Sequence, residues 1–388
     1  MKVEIRDKQI HILLEGRIDA SNAADVEKEV MNVISDNPGL PVIFDAEKLD
    51  YISSAGLRVM LKAHKTTKGS LSVINVSRDV YDIFETTGFT DILDIQKAYR
   101  QMSIEGCEVV GEGFIGTVYR TDPETIVKVY KCDNPVPKIK NEQKMAKLAL
   151  VSGIPTAISY DIVKVGDSYG SVFELFNSST LNDIVKNNEK PFEEVVEQYA
   201  KLIKEVHETE LDNDDIPSAK GIFEGYVKLQ EEYIGKENAD RILKFIDTIP
   251  DSKGAIHSDL QMKNVMIVDG EMMLIDMDGL STGDPVYDLQ ALYVTYKMFK
   301  EDEPDNTMNF LGLSGEICDQ VWDRVFALYY ADKNEEEKAE IFDKLYLLAC
   351  VRFMNLVTNS ALKEGELGRT RIMHTKEHIE DILDKLGF

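Results

Sequence analysis

Four polar side chains with spacings suited to phosphate chemistry lie in the second half of the chain, within IHSDLQMKNVMI and MMLIDMD. His257, Asp259 and Asn264 form H-x-D-x-x-x-x-N directly before an apolar run, and Asp276 closes the next apolar run. Phosphoryl transfer needs a carboxylate that orients the attacking hydroxyl and accepts its proton, and hard oxygen ligands for a metal that bridges the phosphates. We therefore predict a catalytic loop with Asp259 as base and His257 beside it. Asn264 and Asp276 are the predicted Mg²⁺ ligands.

A glycine-rich segment, GEGFIGTVY, lies upstream between two apolar runs. Gly111, Gly113 and Gly116 would let a hairpin fold closely over phosphate oxygens, with backbone N–H groups facing the anion. Glycines also occur in ordinary β-turns, so a plain hairpin remains an alternative. Its position between two strands argues against a dinucleotide-binding turn, which joins a strand to a helix. Val118, on the strand after the turn, is included in the predicted nucleotide site.

Lys128 lies on the next predicted strand, TIVKVY, and Glu142 on the helix that follows. An ammonium group here could hold the α- and β-phosphates of a nucleotide, with the glutamate as its ionic partner. Each residue alone is equally compatible with a solvated surface. The order of glycine turn, lysine, glutamate and catalytic loop favours the functional interpretation. We therefore predict a kinase that uses Mg²⁺ and ATP or GTP to phosphorylate a hydroxyl group.

The elements that must position these residues change character near residue 100. Residues 1–99 alternate short apolar strands with amphipathic helices, a pattern typical of an α/β domain with helices against a sheet. Residues 100–178 indicate strand, glycine turn, strand, tight turn and strand, followed by a helix and two further strands. Residues 179–388 are mainly helical, apart from short strands at VMIVDG and MMLIDMD. The sequence thus predicts three folding units with these boundaries.

The formal net charge of the chain is −26, and it is unevenly distributed. Residues 1–100 hold 13 Lys and Arg against 16 Asp and Glu, a net of −3, so the remainder carries −26 − (−3) = −23. Such an acidic surface repels phosphate backbones, which argues against a nucleic-acid partner. It would attract a cationic small molecule, although a solubilising surface explains it equally well. No apolar run approaches the roughly 20 residues of a membrane span, so we expect a cytoplasmic protein with no membrane partner.

The region from about 104 to 388 resembles the aminoglycoside and choline phosphotransferase branch of the protein-kinase-like fold. HSDLQMKN is similar to the branch's H-G-D-x-x-x-x-N loop, LSTGDPVYDL to its G-D-P-x-x-D-L segment, and LIKEVHETEL to its L-x-x-L-H helix. The resemblance implies a two-lobed α+β fold with catalytic Asp259 and with nucleotide held at a hinge near Glu174, Leu175 and Phe176. Ser258 stands where the family usually has glycine. Asp288 is expected to anchor a loop.

Residues 1–99 resemble a STAS domain, the fold of bacterial anti-sigma-factor antagonists, most closely in SSAGLRVMLKAHK. The resemblance places the family's regulatory phosphorylation site at Ser54 and implies a protein partner for this domain. A phosphate there would lie among free N–H groups at the positive end of a helix dipole. A simpler role is also open, because a serine at this position can cap the helix. The two roles are compatible.

Three functions fit these patterns. The first is an active phosphotransferase with a hydroxyl acceptor, fused to a STAS regulatory or interaction domain. The second is a signalling protein whose kinase fold phosphorylates Ser54 or only senses nucleotide. The third is an aminoglycoside resistance kinase, to which an attached STAS domain would contribute little. The sequence does not identify the acceptor, the nucleotide base, the STAS partner or the oligomeric state.

Overall fold

The computed structural model of the protein forms two compact units. It describes residues 2–6, 8–113, 115–133, 135–175 and 179–388. One unit comprises Met1–Ser103 with Ile162–Asp167, and the other comprises Ile104–Asp161 with Ser168–Phe388. Among the residues described, no helix is both long and apolar enough to span a membrane.

The first unit is a sheet with helices against it. Its elements are β1 (Lys2–Arg6), β2 (Gln9–Ile18), α1 (Ala23–Asp36), β3 (Val42–Ile52), α2 (Ser54–Thr66), β4 (Leu71–Val76), α3 (Arg78–Thr86), β5 (Asp94–Lys97) and β6 (Arg100–Gln101). The five-stranded sheet has the order β1-β2-β3-β4-β5, in which only the β1–β2 hairpin is antiparallel. Its core follows the two-residue period of the strands, since Ile10, Ile12 and Leu14 of β2 are all buried.

The start of α2 corrects one expectation from the sequence. The helix begins at Ser54, and the capping residue is Ser53, whose hydroxyl accepts a hydrogen bond from the Ala55 N–H. Ser54 therefore does not cap the helix but is its exposed first residue. The glycine of SSAGL is required by packing, because a Cβ on Gly56 would lie 2.6 Å from the side chain of Ile52.

The second unit opens with strands and one long helix. They are β7 (Glu108–Glu112), β8 (Gly116–Asp122), β9 (Thr125–Tyr130), α4 (Val136–Val151) and β11 (Ser168–Glu174). Between α4 and β11 the chain forms β10 (Asp161–Val165), which from Ile162 on belongs to the first unit and pairs with β6. Strands β7, β8, β9 and β11 pair antiparallel in the order β7-β8-β9-β11. This meander, with α4 packed beside it, is the architecture predicted from the glycine turn and the strands around it.

The remainder of the second unit is mainly helical. Its elements are β12 (Ser179–Thr180), α5 (Leu181–Lys186), α6 (Phe192–Glu208), α7 (Ala219–Ile234), α8 (Lys236–Thr248), β13 (Ala255–Ile256), β14 (Val265–Val268), β15 (Glu271–Leu274), β16 (Ser281–Thr282), α9 (Val286–Tyr296), α10 (Asn306–Leu311), α11 (Gly315–Tyr329), α12 (Glu335–Thr358) and α13 (Glu366–Leu386). Two apolar cores hold these helices together, one around α6, α9 and α11 and one around α7, α8, α12 and α13. Helices α6 and α13 carry their buried residues at helical spacing, as expected for amphipathic packing. Helix α12 differs, because five consecutive residues, Leu347 to Val351, are all buried.

Two short antiparallel strand pairs position the loops that contain Asp259 and Asp276. Strand β13 pairs antiparallel with β16, and β14 pairs antiparallel with β15. The β14–β15 turn is Asp269–Gly270, and both residues have positive φ (52° and 87°), which is the geometry of a tight I′ turn. The catalytic loop thus leaves β13 and enters β14, while the strand before Asp276 runs back beside it.

Candidate active site

One buried carboxylate accepts hydrogen bonds from the backbone of the predicted catalytic loop. Asp288, in the first turn of α9, accepts hydrogen bonds from the backbone N–H groups of His257 and Ser258, each at 2.8 Å. His207 donates to the same carboxylate through Nε2 at 3.2 Å and accepts from the Tyr329 hydroxyl at 2.8 Å. Burial works to raise the pKa of Asp288, but the bonds from His207 and His257 outweigh it and hold that pKa below its ordinary value. The expected loop-anchoring role of Asp288 agrees with this geometry.

His257 lies behind the loop and does not line the cleft described below. Its side chain is fully buried, and Nε2 lies 3.1 Å from the Ile275 carbonyl, which can only accept, so Nε2 carries the proton. Nδ1 is then free to accept the Asp259 N–H, at 3.3 Å. The ring therefore bridges the segment around Asp259 and the segment before Asp276.

Ser258 adopts a backbone conformation that favours glycine. Its φ is +73°, in the left-handed region where a Cβ costs energy. The serine hydroxyl donates to the Gly279 carbonyl at 2.8 Å, a bond that a glycine could not make. The departure from the family's usual glycine is therefore offset by a new hydrogen bond.

Asp259 and Asn264 are in direct contact. The Asn264 amide donates to the Asp259 side-chain oxygen Oδ2 at 2.9 Å and to the Asp259 carbonyl at 2.8 Å. Since Nδ2 is the donor, Oδ1 of Asn264 is left for another partner. The Ile275 N–H donates to the Asn264 carbonyl at 3.0 Å, which brings Asp276 alongside. Two oxygen ligands of the type that Mg²⁺ prefers, an amide and a carboxylate, are thus adjacent, and the donor set fits this metal.

Lys128 joins the strand meander to the segment around Asp276. Its Nζ lies 2.5 Å from Asp276 Oδ1 and 3.2 Å from Glu142 Oε1. Burial alone would lower the pKa of the Lys128 ammonium, but the two carboxylates raise it overall, so the lysine stays charged. Burial raises the pKa of the Glu142 carboxyl, against the opposing effect of Lys128 and of the Tyr130 hydroxyl bonded to it. The pairing of lysine and glutamate predicted from their order is present.

The three glycines of the turn are not equivalent. A Cβ on Gly116 would lie 2.5 Å from the Val129 carbonyl oxygen, so only glycine allows β8 and β9 to approach this closely. A Cβ on Gly111 or Gly113 would meet no atom closer than 3.6 Å. Gly116 is therefore explained by the sheet alone, whereas nothing in the packing requires the other two to be glycine.

Lys128, Asp259, Asn264 and Asp276 line one cleft of about 450 Å³ together with the glycine turn. Of the residues predicted from the sequence, those that line it are Gly111, Gly113, Gly116, Val118, Lys128, Glu142, Glu174, Leu175, Asp259, Asn264 and Asp276. Phe176, the third predicted hinge residue, lies outside the described residues. The Leu175 N–H donates to the Glu124 carbonyl at 2.8 Å, so this group is already engaged.

Sequence reasoning missed much of the cleft wall. Four apolar side chains also line the cleft: Ile126 and Phe173 on the paired strands β9 and β11, Met266 of β14, and Ile275 just after β15. Together they form an apolar slot suited to a flat ring. Lys263, in the catalytic loop, donates to the Phe310 carbonyl, and burial lowers the pKa of its ammonium. The apolar members carried no signal beyond their strand positions.

Both units are similar to known protein families. A family model described as a STAS domain matches residues 1–102, and one described as the phosphotransferase enzyme family matches residues 106–325. An anti-sigma-B factor antagonist of Listeria monocytogenes is 29% identical over 109 residues, which is 26% of this chain and 95% of that protein.

Two solved structures illustrate the neighbours of the chain. An ADP-bound aminoglycoside phosphotransferase, APH(2'')-Ib, is 16% identical, covers 78% of this chain and 98% of its own, and has a TM-score of 0.48. A choline/ethanolamine kinase family protein of Mesorhizobium loti is 12% identical, covers 72% and 88%, and has a TM-score of 0.48.

The family models and the observed element order confirm the predicted fold class, an α/β STAS-like domain followed by an α+β, two-lobed kinase-like domain. The phosphotransferase model spans more than half of the chain. The chain therefore belongs to the phosphotransferase enzyme family and carries a STAS domain at its N-terminal end.

Proposed function

We propose that the protein transfers the terminal phosphate of ATP or GTP to a hydroxyl group, with Mg²⁺ and with Asp259 as the base. The observation that carries this proposal is the meeting of Lys128, Asp259 and Asp276 in one cleft under the glycine turn. A catalytically inactive relic would have no need to retain every reacting group. The cleft volume of about 450 Å³ lies within the range of small-molecule sites.

The nucleotide would occupy the cleft with its base in the apolar slot and its phosphates toward Lys128. Glu142 keeps the lysine in place, and backbone N–H groups of the glycine turn would face the phosphate oxygens. Val118 would pack against the base, with Glu174 of the predicted hinge segment lining the same cleft. Fixed donors of this kind act by stabilising charge as it develops in the transition state.

Asn264 Oδ1 and the Asp276 carboxylate would hold the metal. When bound, Mg²⁺ would neutralise charge on the phosphates and help to align them. No group of three or more His, Cys, Asp or Glu side chains suited to a metal occurs among the described residues. This agrees with a site completed by water and phosphate oxygens, as is usual for Mg²⁺.

Asp259 would act on the acceptor. The acceptor oxygen attacks the terminal phosphorus, the bond from that phosphorus to its bridging oxygen breaks, and the hydroxyl proton passes to Asp259. The nucleoside diphosphate then leaves. Two amide donors occupy Oδ2 of Asp259, so Oδ1 is the oxygen open to the hydroxyl. The net charge of −23 beyond residue 100 supports a cationic small molecule as acceptor.

The test is Mg-dependent turnover of ATP and GTP by the purified full chain, first without acceptor and then with panels of amino alcohols and neutral alcohols. Asp259→Asn should reduce turnover to a small residual rate while leaving nucleotide binding intact. Asp269→Asn is the matched control, because it makes the same chemical change at the tip of the β14–β15 turn, where asparagine also tolerates positive φ. Wild-type protein that binds nucleotide but turns it over no faster than Asp259→Asn would refute the proposal.

A second candidate acceptor is Ser54 of the STAS domain. Its hydroxyl is exposed, and it makes no side-chain hydrogen bond within the part of the chain that is described. Arg58 lies four residues on, on the same face of α2, where it could pair with a phosphate. Phosphorylation would change the charge of this surface by about −1.5 to −2 and so could switch a protein partner.

Intact mass before and after incubation with Mg-ATP tests this acceptor. A gain of one phosphate that is lost in Ser54→Ala and in Asp259→Asn, but kept in Ser53→Ala, would support it. Ser53→Ala is a demanding control, since removal of that cap costs about 1 kcal/mol without touching Ser54. A phosphate gain that persists in Ser54→Ala would exclude Ser54 as the acceptor.

A further inference from the structure

Gln261 is a buried residue of the catalytic loop to which the motif assigns no role. It lies two residues after Asp259 and is 8% exposed, yet it lines the cleft. Its Nε2 donates to Asp259 Oδ2 at 2.9 Å, the same oxygen that accepts from Asn264 at 2.9 Å. Two amides on one side therefore clamp a single carboxylate oxygen.

The orientation of the Gln261 amide is fixed by chemistry. A carboxylate can only accept, so the nitrogen must face Asp259 and the oxygen must point away. That oxygen is fully buried and has no hydrogen-bond partner among the described residues. Leaving a buried acceptor unpaired is unfavourable for folding. The contact with Asp259 is thus maintained at the expense of stability.

An unpaired amide oxygen is not by itself a sign of function, because Gln230 and Gln290 have one too. Those residues donate to backbone carbonyls, of Val351 and Tyr287 respectively. Gln261 alone of these three donates to the carboxylate that the proposed reaction uses. This difference separates it from a residue that merely fills the core.

We infer that Gln261 is a positioning residue that fixes the Asp259 carboxylate with Oδ1 toward the acceptor hydroxyl. The inference rests on the proposed function. The clamp blocks rotation of the carboxylate, because a turned carboxylate would lose both amide bonds. Without Gln261, the Asn264 amide nitrogen alone holds Oδ2, so one of the two bonds that orient the carboxylate is lost.

Gln261→Met tests the inference, because methionine has a similar volume and no polar atom. We expect kcat for Mg-dependent nucleotide turnover to fall about 10- to 100-fold, which is the loss of one hydrogen bond to a charged group. KM for the nucleotide should be unchanged, and the urea midpoint should stay the same or rise. The matched control is Gln230→Met, which also removes a buried amide with an unpaired oxygen, at a position on α7 that does not line the cleft. It should leave kcat unchanged.

A double-mutant cycle with Asp259→Asn distinguishes positioning from general damage. If Gln261 acts through Asp259, then Gln261→Met should lower the residual rate of Asp259→Asn by less than 2-fold. An equal fall in both backgrounds, or an unchanged kcat in Gln261→Met, overturns the inference while the proposed function stands. Wild-type protein without Mg-dependent turnover overturns both, so the two failures are distinguishable.

Discussion

Replacement of Asp288 by asparagine probes the support of the catalytic loop. The carboxylate is 1% exposed and serves three donors, the backbone N–H groups of His257 and Ser258 and the ring of His207. Asparagine keeps the shape but has one acceptor oxygen and one donor nitrogen. At least one N–H group of the loop must then face another donor.

The magnitude follows from these contacts. A hydrogen bond to a charged group contributes about 1.5–3 kcal/mol, and a buried donor left unpaired costs about 1–3 kcal/mol. Removing one partner of a buried charged network typically costs about 3–5 kcal/mol, which agrees with the sum of the two effects. The free energy of unfolding should fall by that amount, which is a large share of the about 5–15 kcal/mol typical of a domain.

Urea unfolding followed by tryptophan fluorescence measures this loss. The chain has a single tryptophan, Trp322, which is buried in the same core as Leu260 of the catalytic loop, so its emission reports on the helical lobe. Asp284→Asn is the control, since Asp284 caps one N–H group at the start of α9 and is only half-buried. A loss below about 1 kcal/mol for Asp288→Asn, or one equal to that of the control, would refute this account of the loop.

Three further predictions concern backbone geometry and pH. Gly116→Ala should lower the free energy of unfolding by about 1–3 kcal/mol, because its Cβ would clash with the Val129 carbonyl, whereas Gly113→Ala should stay within about 0.5 kcal/mol in thermal unfolding by circular dichroism. Ser258→Ala should be less stable than Ser258→Gly. Both variants lose the hydrogen bond to the Gly279 carbonyl, but alanine keeps the strain of a positive φ and glycine relieves it. A higher urea midpoint for Ser258→Ala than for Ser258→Gly would contradict this. The folded-state pKa of Asp288 is lowered, so the stability that its carboxylate contributes is complete above the unfolded pKa of about 3.9 and is lost as pH falls. The difference in the free energy of unfolding between wild type and Asp288→Asn should therefore shrink as pH is lowered below about 4, as measured by urea unfolding at each pH.

Local patterns predicted most of the fold because the signals lie within single elements. The alternating strand pattern predicted within residues 1–99 opens with the antiparallel pair β1–β2, in which Arg6 pairs with Gln9. The helix predicted after the first three strands of residues 100–178 is α4, Val136–Val151. The capping residue of α2 was predicted one position too late, at Ser54 instead of Ser53. Both residues are serines, and only the backbone geometry distinguishes a capping residue from the first residue of a helix.

The candidate site was predictable to the extent that its residues share a motif. Lys128, Glu142 and Asp276 were expected together from their order, and they form one ion-paired group even though Lys128 and Asp276 are 148 residues apart. The apolar slot was not predicted, because residues such as Met266 differ in nothing from other strand residues until the facing strand is known. His257 was grouped with the catalytic residues by spacing, but its ring faces the Ile275 carbonyl behind the loop.

Gln261 and Asp288 show why the remainder could not be read from sequence. Asp288 matched a family segment, but its function depends on His207, 81 residues away, and on two backbone N–H groups of a loop that no motif connects to α9. Gln261 occupies the second position after Asp259, which the motif leaves unspecified. Only the partner of its amide nitrogen, the Asp259 carboxylate in place of a backbone carbonyl, distinguishes it from Gln230. In both cases the chemistry belongs to a hydrogen bond between groups and not to a residue type. The orientation of Asp259 therefore depends on partners that the sequence contains but does not mark.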